Sequence, residues 1–179
     1  MKIRLALLAF TLAITAATAT QSRAQVVWSA PASGCVAESL GETLASINPV
    51  YGTVSFAAGK HGDIHMTCPI SFLSSAYGQT SPSGLVLTFY DYLGSVGGVN
   101  HCFIDAALLR SNLQVEQGWT ITDFSTIDAD SEYAGRQVVA GYIPETFNFQ
   151  SNYYWVDVWL HRDASNAACN PTFVGAFLE

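Results

Sequence analysis

The chain has 179 residues, half of them hydrophobic and only 12% charged, with a formal net charge of −7. That length suits one domain burying about two-thirds of its unfolded surface. The acidic balance repels phosphate backbones and anionic head groups, which argues against nucleic acid and leaves cations and neutral polymers such as glycans as partners.

Lys2 and Arg4 precede an apolar run over residues 5–17, and Ser22-Arg23-Ala24 sets small residues at −3 and −1. A positive end, an apolar centre too short to span a bilayer and a small-residue cleavage site make a secretory signal peptide. Residues 1–24 are therefore read as a leader, and residues 25–179 as a single secreted or periplasmic domain. Ala17-Thr18-Ala19 offers a second site, but Gln25 directly precedes apolar, strand-like sequence. Without the leader, Lys60, Arg110, Arg136 and Arg162 face fourteen acids, a net charge of −10. No later segment reaches the about 20 apolar residues of a membrane span.

Cys35, Cys68, Cys102 and Cys169 all fall in the mature region. An even number in an oxidising compartment reads as two disulfides with three possible connectivities. The pairing Cys35–Cys68 and Cys102–Cys169 is favoured, tying early strands together and the last strand to a middle one. A zinc site is disfavoured because the chain has no Cys-x-x-Cys pair.

Val36, Leu40, Leu44 and Ile47 recur at helical spacing until Asn48-Pro49, predicting a short helix near residues 36–47 that Gly41 weakens. The remaining elements alternate with a period of two. Strands are expected at 52–56, 64–70, 85–90, 99–109, 119–124, 137–143, 153–161 and 172–178. Residues 106–110 fit a helical turn as well. Glycine, serine and proline clusters mark 74–84 as a loop and 94–98 as a turn. About eight short strands with no βαβ alternation predict an all-β, antiparallel two-sheet β-sandwich. A jelly-roll-like winding is preferred to an immunoglobulin-like one, whose cysteine–tryptophan–cysteine spacing is missing.

Residues 153–161 divide into an apolar set, Tyr154, Val156, Val158 and Leu160, and an opposite set of Tyr153, Trp155, Asp157, Trp159 and His161. Two indoles flanking a carboxylate suit carbohydrate: flat rings stack on sugar C–H faces while the carboxylate accepts hydroxyl hydrogen bonds. By the same alternation Thr88, Tyr90 and Tyr92, and His101, Phe103 and Asp105, point outward. The candidate ligand set is Tyr90, Tyr92, Trp155, Asp157 and Trp159. The competing meaning of such a face is burial beneath a loop or between subunits.

His61, Asp63 and His65 form a His-x-Asp-x-His pattern that a strand would aim at one face, a candidate divalent-metal set. Gly59 and Gly62 argue for His61 lying in a turn, which leaves a solvated polar face as the plainer meaning. Asp128, Asp130 and Glu132 resemble the start of a calcium loop but have Tyr133 where the sharp-turn glycine belongs. No nucleophile elbow, His-Glu-x-x-His or phosphate loop is present, although Asp91, Asp105 and Asp157 would converge if their strands were neighbours. The reading is a secreted, non-catalytic binding or interaction module without a cofactor, its partner a glycan or another envelope or extracellular protein. A secreted hydrolase or metal-dependent enzyme, and a structural protein using the aromatic face as a subunit contact, are the alternatives.

Overall fold

The computed structural model describes residues 26–71, 81–90, 95–96, 99–100, 102–112, 118–125, 136–165 and 168–179. The leader therefore lies outside the described residues. In chain order the elements are β1 (Trp28–Pro31), a 3-10 turn (Ala32–Gly34), β2 (Val36–Ala37), α1 (Ser39–Leu44), β3 (Ala45–Asn48), β4 (Thr53–Phe56) and β5 (Gly62–Ile70). They continue with β6 (Gly84–Tyr90), β7 (Ser95–Val96), β8 (Val99–Asn100), β9 (Cys102–Asn112), β10 (Gly118–Ser125), β11 (Arg136–Tyr142), β12 (Asn152–Arg162) and β13 (Thr172–Leu178).

Two antiparallel sheets form the sandwich. One runs β11-β6-β13-β4-β3, with β1 also paired to β13, and the other runs β10-β9-β12-β5-β2. The principal strands β4, β5, β6, β9, β10, β11, β12 and β13 answer to the eight expected from alternation. Between them the chain changes sheet at every step except the β9–β10 hairpin, which is the double Greek-key winding of a jelly roll. The segment around Ala106 to Arg110 is strand throughout, paired to β12 on one edge and β10 on the other.

The inner faces interdigitate as alternation requires. Ile64, Met66, Cys68, Ile104, Leu108, Val156, Val158 and Leu160 line one sheet; Val54, Leu85, Leu87, Phe89, Phe173 and Leu178 line the other, all 2% exposed or less. Tyr154 also faces inward, stacked on Phe147 with centroids 4.1 Å apart. Its hydroxyl accepts the Asn148 backbone N–H at 2.8 Å, so a polar atom enters the core satisfied.

The helix is shorter than expected. Cys35 is bonded to Cys68, which draws Val36–Ala37 into register with Thr67 and Met66 on β5. Ala45–Asn48 pairs with β4, so only six residues between them remain helical. Sheet pairing outweighs the weak local propensity of so short a segment. Gly41 has a tertiary reason: a Cβ there would sit 3.3 Å from Ile64 Cγ2, because α1 packs directly on β5. The second bridge, Cys102–Cys169, joins the start of β9 to the segment entering β13. Sequence separations of 33 and 67 place each bridge across a long loop, worth about 4 kcal/mol by the loop-entropy model.

The two faces of β12 differ in what they contribute to stability. Leu160→Ala is expected to destabilise the domain by about 3 kcal/mol through lost burial and a residual cavity. Tyr153→Ala, at a side chain 65% exposed, is expected to stay within about 0.5 kcal/mol of wild type. Urea unfolding of both variants checks the pair, and equal losses would contradict this assignment of faces.

Candidate functional site

Strand β12 lies at the centre of its sheet between β5 and β9, so its outward side chains stand in the middle of a broad surface. The register sets that surface out in rows. Asp63, His161 and Phe103 make one; His65, Trp159 and Asp105 the next; then Thr67, Asp157 and Ala107; then Pro69, Trp155 and Leu109. Trp155 and Trp159 are four residues apart, about 13 Å along the strand. Asp157, between the two indoles, has the small side chains of Thr67 and Ala107 beside it. All three central side chains are partly exposed.

Trp159 is held by its neighbours. Its indole N–H donates to Asp63 Oδ1 at 3.0 Å, and the His65 ring stacks on it with centroids 5.3 Å apart and planes 16° from parallel. Phe103 meets the indole edge-on at 5.4 Å and stacks on His161 at 4.7 Å. His161 Nδ1 lies 2.6 Å from the same Asp63 oxygen. Burial raises the Asp63 pKa, but hydrogen bonds from His161 and Trp159, with the charge of the nearby imidazoles, outweigh it and hold the carboxyl below the usual aspartate range. A ring fixed in this way binds a partner with little further loss of side-chain entropy.

Asp157 is set differently. Burial pushes its carboxyl above the usual range; His65 pulls it back, Glu38 adds to the rise and the Val158 backbone N–H opposes it. The strand therefore carries a partly desolvated carboxylate between two indoles. Asp105 lies on the diagonal of the β9–β12 pair from Asp157, so two of the acids expected to converge stand on neighbouring strands of this face.

Several expected residues lie elsewhere. Tyr90 ends β6 and belongs to the opposite sheet, so it shares no face with Trp155; the winding changes sheet between β5 and β6 and again between β6 and β9. Thr88, expected outward, is 3% exposed. Tyr92, Asp91, His101 and the acidic loop around Asp128 lie outside the described residues. His61, Asp63 and His65 do not gather. His61 precedes β5 beyond Gly62, whose φ of 114° turns the backbone, and lines a small hollow with Lys60, Arg162 and Asp163. Asp63 and His65 belong to the aromatic face instead. Among the described residues no group of three His, Cys, Asp or Glu side chains forms a metal-ligand set. Sequence reasoning placed Phe103 and His161 outward but missed that Asp63 and His65 join them, a pairing visible only once β5 is in register with β12.

A further hollow of about 450 Å³ opens between edge strands β2 and β3, floored by Val54 and Met66. Its walls come from Cys35, Val36, Ala37, Glu42, Ala45 and Ile47, with no aromatic residue among the described lining.

No family model matches the chain, and no curated protein matches it in sequence. Among solved structures it is similar to a family two carbohydrate esterase from Cellvibrio japonicus, at 12% identity and a TM-score of 0.45, over 85% of this chain and 33% of that one. The chain thus spans about a third of the esterase. It is similar also to the carbohydrate-binding module CBM36 in complex with calcium and xylotriose, at 11% identity and a TM-score of 0.44, over 86% of this chain and 100% of that one. A family 29 carbohydrate-binding module follows at 10% identity and a TM-score of 0.28, over 86% of this chain and 79% of that one. With every TM-score below 0.5, these likenesses carry no argument about ligand or activity.

Proposed function

We propose that this protein is a non-catalytic glycan-binding module of an extracytoplasmic compartment, and that it binds through the outer face of β9, β12 and β5. One observation carries the reading: Trp155, Asp157 and Trp159 stand in line on the central strand, with small side chains beside the carboxylate. A sugar ring offers an apolar C–H face to an indole and hydroxyls to a carboxylate, and this surface supplies both in alternation. The spacing of the indoles suits an oligosaccharide over a single sugar. Asp63, Asp105 and Asp157 on the same face repel uronates and sulfated chains, which directs the choice to neutral or amine-bearing glycans. Two disulfides fit an oxidising compartment. Among the described residues no helix is long and apolar enough to cross a membrane.

Two expected outcomes test this. A thermal-shift screen of the oxidised domain against neutral, amino and acidic oligosaccharides should give a rise with one of the first two classes. At ten times the dissociation constant, binding adds about 1.4 kcal/mol, a shift of roughly 3–6 °C for this size. Trp155→Ala should weaken the affinity about thirtyfold without unfolding the protein, the usual effect of truncating an anchoring aromatic. A response to acidic glycans only, or Trp155→Ala with both the affinity and the stoichiometry of wild type, would refute the assignment.

Asp157 gives the second test. Because folding raises its pKa, the charged carboxylate opposes folding above that folded value. The penalty disappears below the ordinary aspartate pKa of about 3.9, where both states are protonated. Asp157→Asn is therefore expected to be more stable than wild type at pH 7, with the difference closing as pH falls through 4. It should at the same time bind glycan more weakly. A variant stabilised and still binding at full strength would show that the carboxylate plays no part in recognition.

A further inference from the structure

We propose that the domain carries a second, separate site on the outer face of the other sheet, and that it takes a neutral oligosaccharide. A hollow of about 400 Å³ lies there, lined by Tyr51, Thr53, Tyr90, Thr172 and Val174. Tyr90 and Thr172 are directly opposite across the β6–β13 pair, and Thr53 begins the neighbouring β4. Val174 occupies a break in the β13 register between Phe173 and Gly175. Such a bulge bends a strand and redirects a side chain, and here Val174 joins the floor.

The wall formed by Tyr51 is built with some care. It sits in the turn between β3 and β4, where Asn48 Oδ1 accepts the backbone N–H groups of Val50 at 3.0 Å and Tyr51 at 3.3 Å. The Gly52 N–H donates to the Asn48 carbonyl at 2.8 Å, with Gly52 in the left-handed region at φ 66°. The Gly52 carbonyl in turn accepts the Ser33 N–H at 2.9 Å, fastening the turn to the segment after β1. This rigid turn holds a tyrosine 74% exposed, beside Tyr90 at 41%. Burial in the core accounts for neither ring.

The lining decides the ligand class. Two phenol rings offer flat apolar surface, while their hydroxyls and those of Thr53 and Thr172 both donate and accept hydrogen bonds. None of the five lining residues carries a charge at neutral pH. A neutral sugar chain, apolar on its ring faces and hydroxylated at its edges, matches that combination. Among these five side chains an anionic or cationic glycan finds no partner; the one charged neighbour in register is Arg136, opposite Tyr90 on β11. The Trp155 face differs in bearing three carboxylates. The two surfaces are on opposite sides of the sandwich, so one molecule can hold two glycan chains at once and gain avidity on a polymer. This site does not depend on the Trp155 reading.

Calorimetric titration of the oxidised domain with cellohexaose, xylohexaose and mannohexaose tests it, using wild type, Tyr51→Ala, Tyr90→Ala, Trp155→Ala and Trp155→Ala/Tyr51→Ala. Circular dichroism confirms folding, and Tyr51→Phe, which keeps the ring, serves as the conservative control. Trp155→Ala is expected to retain binding to at least one probe. Adding Tyr51→Ala should weaken that residual binding at least tenfold, whereas Tyr51→Phe leaves most of it. If no probe binds Trp155→Ala, or if Tyr51→Ala and Tyr90→Ala both keep wild-type stoichiometry and affinity, the second site is refuted. If Trp155→Ala changes nothing while Tyr51→Ala abolishes binding, the second site stands and the Trp155 face loses its role.

Discussion

Burial of one side of β12 is the constraint on which the other features of this molecule depend. Tyr154, Val156, Val158 and Leu160 each lie 3% exposed or less in the sandwich core. A strand cannot turn alternate residues inward without turning the rest outward. Trp155, Asp157, Trp159 and His161 are therefore fixed on the far face by the same burial that stabilises the fold. Because β12 is paired on both edges from Tyr154 to Arg162, Trp155, Asp157, Trp159 and His161 are also fixed relative to β5 and β9. A one-residue slip would move every indole into the core and every aliphatic into water, which makes the register, and with it the surface, hard to disturb.

The outer face departs from what stability alone would select. A carboxylate whose pKa is raised by burial, next to further acids, opposes folding at neutral pH. Asp63 is the contrasting case: two ring nitrogens converge on one of its oxygens, and it serves as the tether that orients Trp159 and His161. One aspartate thus holds the platform together, while the other is held by it at some cost in stability. Strain of this kind concentrates at functional surfaces. The two disulfides anchor the segments flanking the sheet, Cys35 beside β2 and Cys169 ahead of β13, and leave β12 itself unbridged.

Alternation made much of this legible in advance. The eight principal strands and the sidedness of β12 could be read from residue order, because each depends on local periodicity; of three possible cysteine connectivities the favoured one, Cys35–Cys68 with Cys102–Cys169, is the one the fold adopts. What sequence does not contain is which strands become neighbours. Tyr90 and Trp155 have the same local character, yet they sit on opposite sheets because the chain crosses the sandwich before and after β6. Asp63 and His65 read as metal ligands with His61, and only register with Trp159 and His161 shows them as parts of an aromatic platform. The short strands β2 and β3 were hidden inside a helical pattern too brief to compete with sheet pairing. Tyr51 gave no periodic signal at all, since its position comes from the Asn48 turn.

Whether an oligosaccharide lies across β12, as proposed, is read directly by nuclear magnetic resonance. Trp28, Trp119, Trp155 and Trp159 give four indole N–H signals, which can be followed with the backbone amides as a binding oligosaccharide is added. An oligosaccharide bound there shifts the Trp155 and Trp159 indoles and the amides along β5, β9 and β12, with saturation at a common dissociation constant. Binding that leaves those indoles and strands unmoved would contradict the proposal.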